Sequence, residues 1–117
     1  MDRYIYKIAT RAQWEEAKAD GLFRGAPIDL ADGFIHFSTA GQLLETASKH
    51  FAGQDDLLLL TAEAQALGTG LRYEPSRRGD LFPHLYGQLA LEAISKIDAI
   101  SLDEDGMHIL PEDLDHP

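Results

Sequence analysis

No cysteine occurs in the 117 residues, so the chain can form no disulfide and offers no thiolate as nucleophile or metal ligand. A small domain without disulfides points to the cytoplasm. Long hydrophobic runs are also missing. The longest, Leu57-Leu58-Leu59-Leu60, has the length of a strand and falls far short of the roughly 20 apolar residues a membrane helix needs. Met1-Asp2-Arg3-Tyr4 leads straight into a strand-like pattern, so no signal peptide is expected. Positive charge is scarce: 10 Lys and Arg against 20 Asp and Glu give a formal net charge of −10. That balance argues against non-specific DNA binding and against attraction to an anionic membrane. Three glycine-dependent motifs are absent as well: the phosphate loop, the dinucleotide GxGxxG turn and the GxSxG nucleophile elbow.

What is present is enough to fold. Hydrophobic residues make up 44% of the chain, which supports one core. The expectation is a single domain over residues 1–110 followed by an acidic, loose tail at 111–117. Residues 3–9 are β-branched and aromatic, a strand pattern. Thr10-x-x-Gln13 is a capping box that opens a helix, and Gly21 closes it, with Trp14 and Ala17 facing the core. Residues 24–32, with Gly25, Pro27, Asp29 and Asp32, read as a loop. Thr39-x-x-Gln42 opens a second helix to about residue 51, with Leu43, Leu44, Ala47, His50 and Phe51 on its apolar stripe. Residues 57–61 read as a central strand and 71–74 as a short one ended by Pro75. Residues 93–102 read as a strand in which Ile94 and Ile97 break simple alternation, so a bulge is expected. Asp103-Glu104-Asp105-Gly106 reads as a hairpin turn. Helices in the N-terminal half and strands after them make the fold class α+β.

Three clusters hold residues that can do chemistry. In Gly33-Phe34-Ile35-His36-Phe37-Ser38-Thr39 a short strand carries a histidine into a helix start. Phe34, His36 and Ser38 share one face by the period of two. Ser38, Thr39 and the N–H groups after them are candidates to hold an anion at a helix N-terminus; the plainer reading is a core histidine with a satisfied ring. Arg72 and Glu74 share a face of their strand, either flanking a ligand or forming a surface ion pair. Arg77 and Arg78 add positive charge nearby. In the cluster Leu81-Phe82-Pro83-His84-Leu85-Tyr86-Gly87, His84-Leu85-Tyr86-Gly87 reads as a turn in which His84 and Tyr86 bracket a planar ring, or as a structural turn with a buried tyrosine. His36, His50 and His84 follow no metal-ligand spacing, and no metal is expected.

Together, Tyr6-Lys7-Ile8, Trp14-x-x-Ala17, Gly33-Phe34-Ile35-His36-x-Ser38, the leucine run at 57–60, Arg72-Tyr73-Glu74 and Phe82-Pro83-His84-Leu85-Tyr86-Gly87 resemble the small bacterial family called domain of unknown function 952. More distantly, a strand, a helix ending in Gly-Leu, a loop and a Gly-aromatic-aliphatic strand are similar to the ADP-ribosyltransferase fold, which includes the RNA 2′-phosphotransferases. That likeness implies a small ADP-ribosyltransferase-like core of mixed or antiparallel strands with two main helices in the N-terminal half. It implies NAD or a nucleotide as ligand, with Lys7 at the first-strand basic position, His36 at the second-strand position and His84 near the late glutamate. Because a histidine replaces that glutamate, protein ADP-ribosyl transfer is not expected, and a phosphotransferase-like or purely binding role stays open. The expected site has His36 and His84 as catalytic groups, with Lys7, Ser38, Thr39, Arg72, Glu74 and Tyr86 binding a small anionic or nucleotide ligand. The alternative is a non-catalytic binding or protein-interaction module on the same fold; no protein partner is named by the sequence.

Overall fold

The computed structural model describes residues 2–76 and 79–114. Arg77, Arg78 and the last acidic residue, Asp115, lie outside them. The chain runs β1 (Tyr4–Thr10), α1 (Arg11–Asp20), β2 (Leu22–Phe23), α2 (Pro27–Asp32), β3 (Ile35–His36), α3 (Leu43–His50), β4 (Leu57–Glu63), β5 (Leu71–Pro75), β6 (Leu81–Leu85), β7 (Leu89–Ala90) and β8 (Ile94–Ile100). All strand pairs are antiparallel, in sheets ordered β1-β4-β8, β2-β7 and β3-β6-β5. The fold is α+β with its α-helices in the N-terminal half.

In the β1-β4-β8 sheet, β1 and β4 are buried on both faces, and strand alternation divides their side chains between two cores. Ile5 and Ala9 of β1 join Leu58, Leu60 and Ala62 of β4, packed against Ala17, Phe23, Ile35, Phe37 and Leu85. Tyr4, Tyr6 and Ile8 join Leu57 and Leu59, packed against Leu43 and Ala47 of α3. This is why the leucine run carries no polar alternation. The expected bulge is present: Thr61 pairs with Lys96 and Ala62 with Ile94, which leaves Ser95 as the extra residue on β8.

Helix α1 starts as the sequence requires, with Thr10 accepting from the Gln13 N–H and the Gln13 side chain accepting from the Thr10 N–H. Four readings need correction. Residues 24–32 are not all loop, because Pro27 begins a short helix at its favoured first position and Gly33, at φ 84°, ends it. Leu44 is 48% exposed, since Leu43 and Ala47, four apart, take the buried face of α3. His50 is exposed rather than half-buried. The segment around His84 is a strand and not a turn: β6 is the centre of its sheet, and Pro83 still gives its carbonyl to the Phe37 N–H. In the acidic tail, Lys96 Nζ meets Asp113 at 2.6 Å and Leu114 packs on the second core.

Candidate functional site

The site begins with strand register. His36 pairs directly with His84, and His84 with Arg72, so one row across β3, β6 and β5 carries all three side chains. Directly paired residues project to the same face of a sheet. The two imidazole rings lie 5.4 Å apart, edge to face. Phe34 covers them both, stacked on His84 at 4.1 Å and tilted against His36 at 4.6 Å.

Each ring rests on a carboxylate. His36 Nδ1 is 2.6 Å from Asp29 Oδ1, and His84 Nδ1 is 2.9 Å from Glu74 Oε1. Such contacts fix ring orientation; with Nδ1 as donor, Nε2 accepts in the neutral ring and donates in the protonated one. His36 Nε2 in turn lies 3.0 Å from Asp32 Oδ2. Glu74 also accepts from the Tyr86 hydroxyl at 2.7 Å, and the Arg72 guanidinium sits 5.1 Å from the centre of the Tyr86 ring. The Tyr86 hydroxyl and then the His84 ring hold the Glu74 carboxyl below its ordinary range, and the same bond raises the Tyr86 phenol.

Asp29 is the hub of the first half. Its buried carboxylate accepts from the Ala26 N–H at 2.7 Å, the His36 N–H at 3.0 Å and Lys7 Nζ at 2.8 Å. Lys7 is itself buried, on the β1 face between Ile5 and Ala9. Burial pushes the Lys7 amine down, partly offset by Asp29. Burial alone pushes Asp29 up, but the His36 hydrogen bond and the Lys7 charge outweigh it and hold the carboxyl at about 2.

This gives a prediction for acid. Asp29 titrates lower in the fold than its ordinary 3.8, so its contribution is complete above that value and disappears as pH falls from there through about 2. The expected loss is about 2 kcal/mol. Urea unfolding at pH 5 and at pH 2 measures it; an Asp29→Asn variant should lack this component, and an identical acid profile in the variant would refute the assignment.

His36 and His84 line one cleft of about 730 Å³ together with Lys7, Ser38, Thr46 and Lys49. The convergence expected of the two histidines is therefore present. Arg72, Glu74 and Tyr86 do not line the cleft and bear on it through His84. Two of the donors expected to hold an anion at the helix start are already engaged. The Ser38 N–H donates to Tyr6 O at 2.8 Å, and the Thr39 N–H to Gln42 Oε1 at 3.0 Å. The sheet and the cap use these donors, and the segment after them is a 3-10 turn at Ala40–Gln42 before α3 begins. Ser38 Oγ is within 2.9 Å of Thr46 Oγ1. Among the described residues, no group of three or more histidines and carboxylates is placed to hold a metal ion.

Sequence reasoning missed Asp29, Asp32 and the stacking role of Phe34. Two signals pointed to Asp29: Pro27 two residues before it with Gly33 four after, a short-helix pattern, and a lysine among apolar strand residues, which requires a buried anion.

Residues 8–97 match the protein family described as "Protein of unknown function (DUF952)". The chain belongs to that family. The two histidine motifs and their partners Asp29, Asp32 and Glu74 all fall inside the matched span of this DUF952 chain. No curated protein matches it. Among solved structures, it is similar to the crystal structure of the protein CC0527 from Caulobacter crescentus, with 50% sequence identity, 92% of this chain and 94% of that one covered, and a TM-score of 0.88. The solution NMR structure of CC0527 matches at 50% identity, 90% coverage of each chain and a TM-score of 0.81. The family description carries no activity.

Proposed function

We propose that this cleft binds a small oxyanion or nucleotide ligand and that His36 and His84 act on it as an acid–base couple. The observation that carries the reading is the pairing itself: two imidazoles 5.4 Å apart in one cleft, each oriented through Nδ1 by its own carboxylate. Two histidines so placed can take a proton from an attacking hydroxyl and return one to a leaving oxygen. The likeness to the ADP-ribosyltransferase and RNA 2′-phosphotransferase fold supports NAD or another nucleotide as the ligand. Phosphate chemistry suits these groups better than protein ADP-ribosyl transfer. The Glu74 carboxylate stands beside His84, where that likeness puts a glutamate, but Oε1 is engaged by both His84 and Tyr86 and serves the histidine.

The test is a thermal-shift series with inorganic phosphate, ADP, NAD and a 2′-phosphorylated RNA. A ligand at 100 times its Kd should stabilise the protein by about 2.7 kcal/mol, several degrees in Tm. His36→Ala and His84→Ala should abolish the shift. Arg72→Ala should weaken it less, because Arg72 acts through Tyr86 and Glu74. A shift retained in both histidine variants would remove the site assignment. A shift lost in those variants, without turnover of any of the four compounds by the wild type, would favour the non-catalytic binding module.

A further inference from the structure

We propose that Asp32 competes with the ligand for His36 Nε2, so that the site carries its own restraining carboxylate. The inference rests on the reading of the cleft as an oxyanion site and states how that site is regulated.

Two carboxylates three residues apart on α2 clasp one ring. The left-handed turn at Gly33 folds the chain back so that His36 reaches both. Their surroundings differ. The Asp29 side chain is 1% exposed and fixed by Lys7 and two backbone N–H groups, whereas Asp32 is 43% exposed and only its contact with His36 is seen among the described residues. The inner contact is therefore structural, and the outer one can swing into solvent at little cost. Asp32 and His36 both line the cleft, so an entering ligand meets this pair.

Chemistry makes the contact a competition. In the protonated ring Nε2–H donates to Asp32 Oδ2, 3.0 Å away, the place an anionic phosphate oxygen would take as a charge-assisted acceptor. The charged and titratable groups facing His36 are Asp29 and Asp32 on α2, Lys7 on β1 through Asp29, and His84 on β6. Lys7 is matched by Asp29, which leaves Asp32 as the exposed carboxylate that an anion meets at the ring, in a cleft also lined by Lys49. Removing that charge while keeping its shape should favour an anion about tenfold, close to the bulk-water scale of two like charges about 4 Å apart, because Asp32 is largely open to solvent.

The experiment titrates inorganic phosphate at constant ionic strength and follows the ring signals of His36 and His84 by NMR. It uses the wild type, Asp32→Asn, Asp32→Ser and His36→Gln. Both Asp32 variants should bind phosphate about tenfold more tightly than the wild type, and His36→Gln should bind more weakly. If the wild type binds but the Asp32 variants bind equally or less tightly, Asp32 is not a competitor and this inference fails while the oxyanion reading stands. If no protein in the series binds phosphate at the histidines, both fail.

Discussion

Asp29→Ala is expected to destabilise the protein by about 3–5 kcal/mol, the cost of leaving a buried charge without its partner. The Lys7 amine sits on an apolar strand face with its side chain 6% exposed, and Asp29 is the carboxylate that meets it. The same substitution strips an acceptor from the Ala26 and His36 N–H groups and the partner from His36 Nδ1. The cost should shrink at alkaline pH. Burial already lowers the Lys7 amine in the native protein. In the variant, a folded titration below the unfolded one means the unfolded state binds more protons across that interval, so stability rises with pH there. A Lys7→Met/Asp29→Leu double variant should recover much of the loss, because the buried charge and its partner go together. Urea unfolding at pH 7 and pH 10 measures all of this. A loss below about 1 kcal/mol in Asp29→Ala would show that the pair is not the anchor described above.

Gly25→Ala disturbs the same hub without touching a charge. Gly25 has φ 120°, where side chains are strained, and a Cβ there would lie 2.8 Å from the Cβ of Asp29. Asp29 cannot retreat, because its carboxylate is held from Lys7, Ala26 and His36 at once. Strain and displacement together should cost about 2–4 kcal/mol. The His36 ring signals should shift as well, since the residue that orients the ring moves. Thermal unfolding and histidine NMR check the two parts. Wild-type stability with unchanged His36 signals would mean that the 24–26 segment does not determine where Asp29 sits.

Some of this was legible before any coordinates. Capping at Thr10, termination at Gly21, a central strand over the leucine run and a bulge where Ile94 and Ile97 break alternation are local matters, decided by side chains a few residues apart. The two histidines also stood out, since each is a titratable ring in an otherwise apolar motif. The helix at Pro27–Asp32 was hidden by its own composition, because proline and aspartate mark loops as well as helix starts.

The chain alone determined that a cysteine-free α+β fold with a double-faced central strand would form, and that His36 and His84 were its chemical candidates. Tertiary structure alone decided what those residues touch. Register places His84 between His36 and Arg72, a choice that period-two patterning cannot make, because many registers keep the same face buried. The pairing of Lys7 with Asp29 spans 22 positions, and that of His84 with Glu74 spans 10 across a strand pair. The Ser38 and Thr39 N–H groups looked available in the sequence and were taken by Tyr6 and Gln42. Backbone polar groups must find partners when they are buried, and which partner each finds is a property of the assembled sheets.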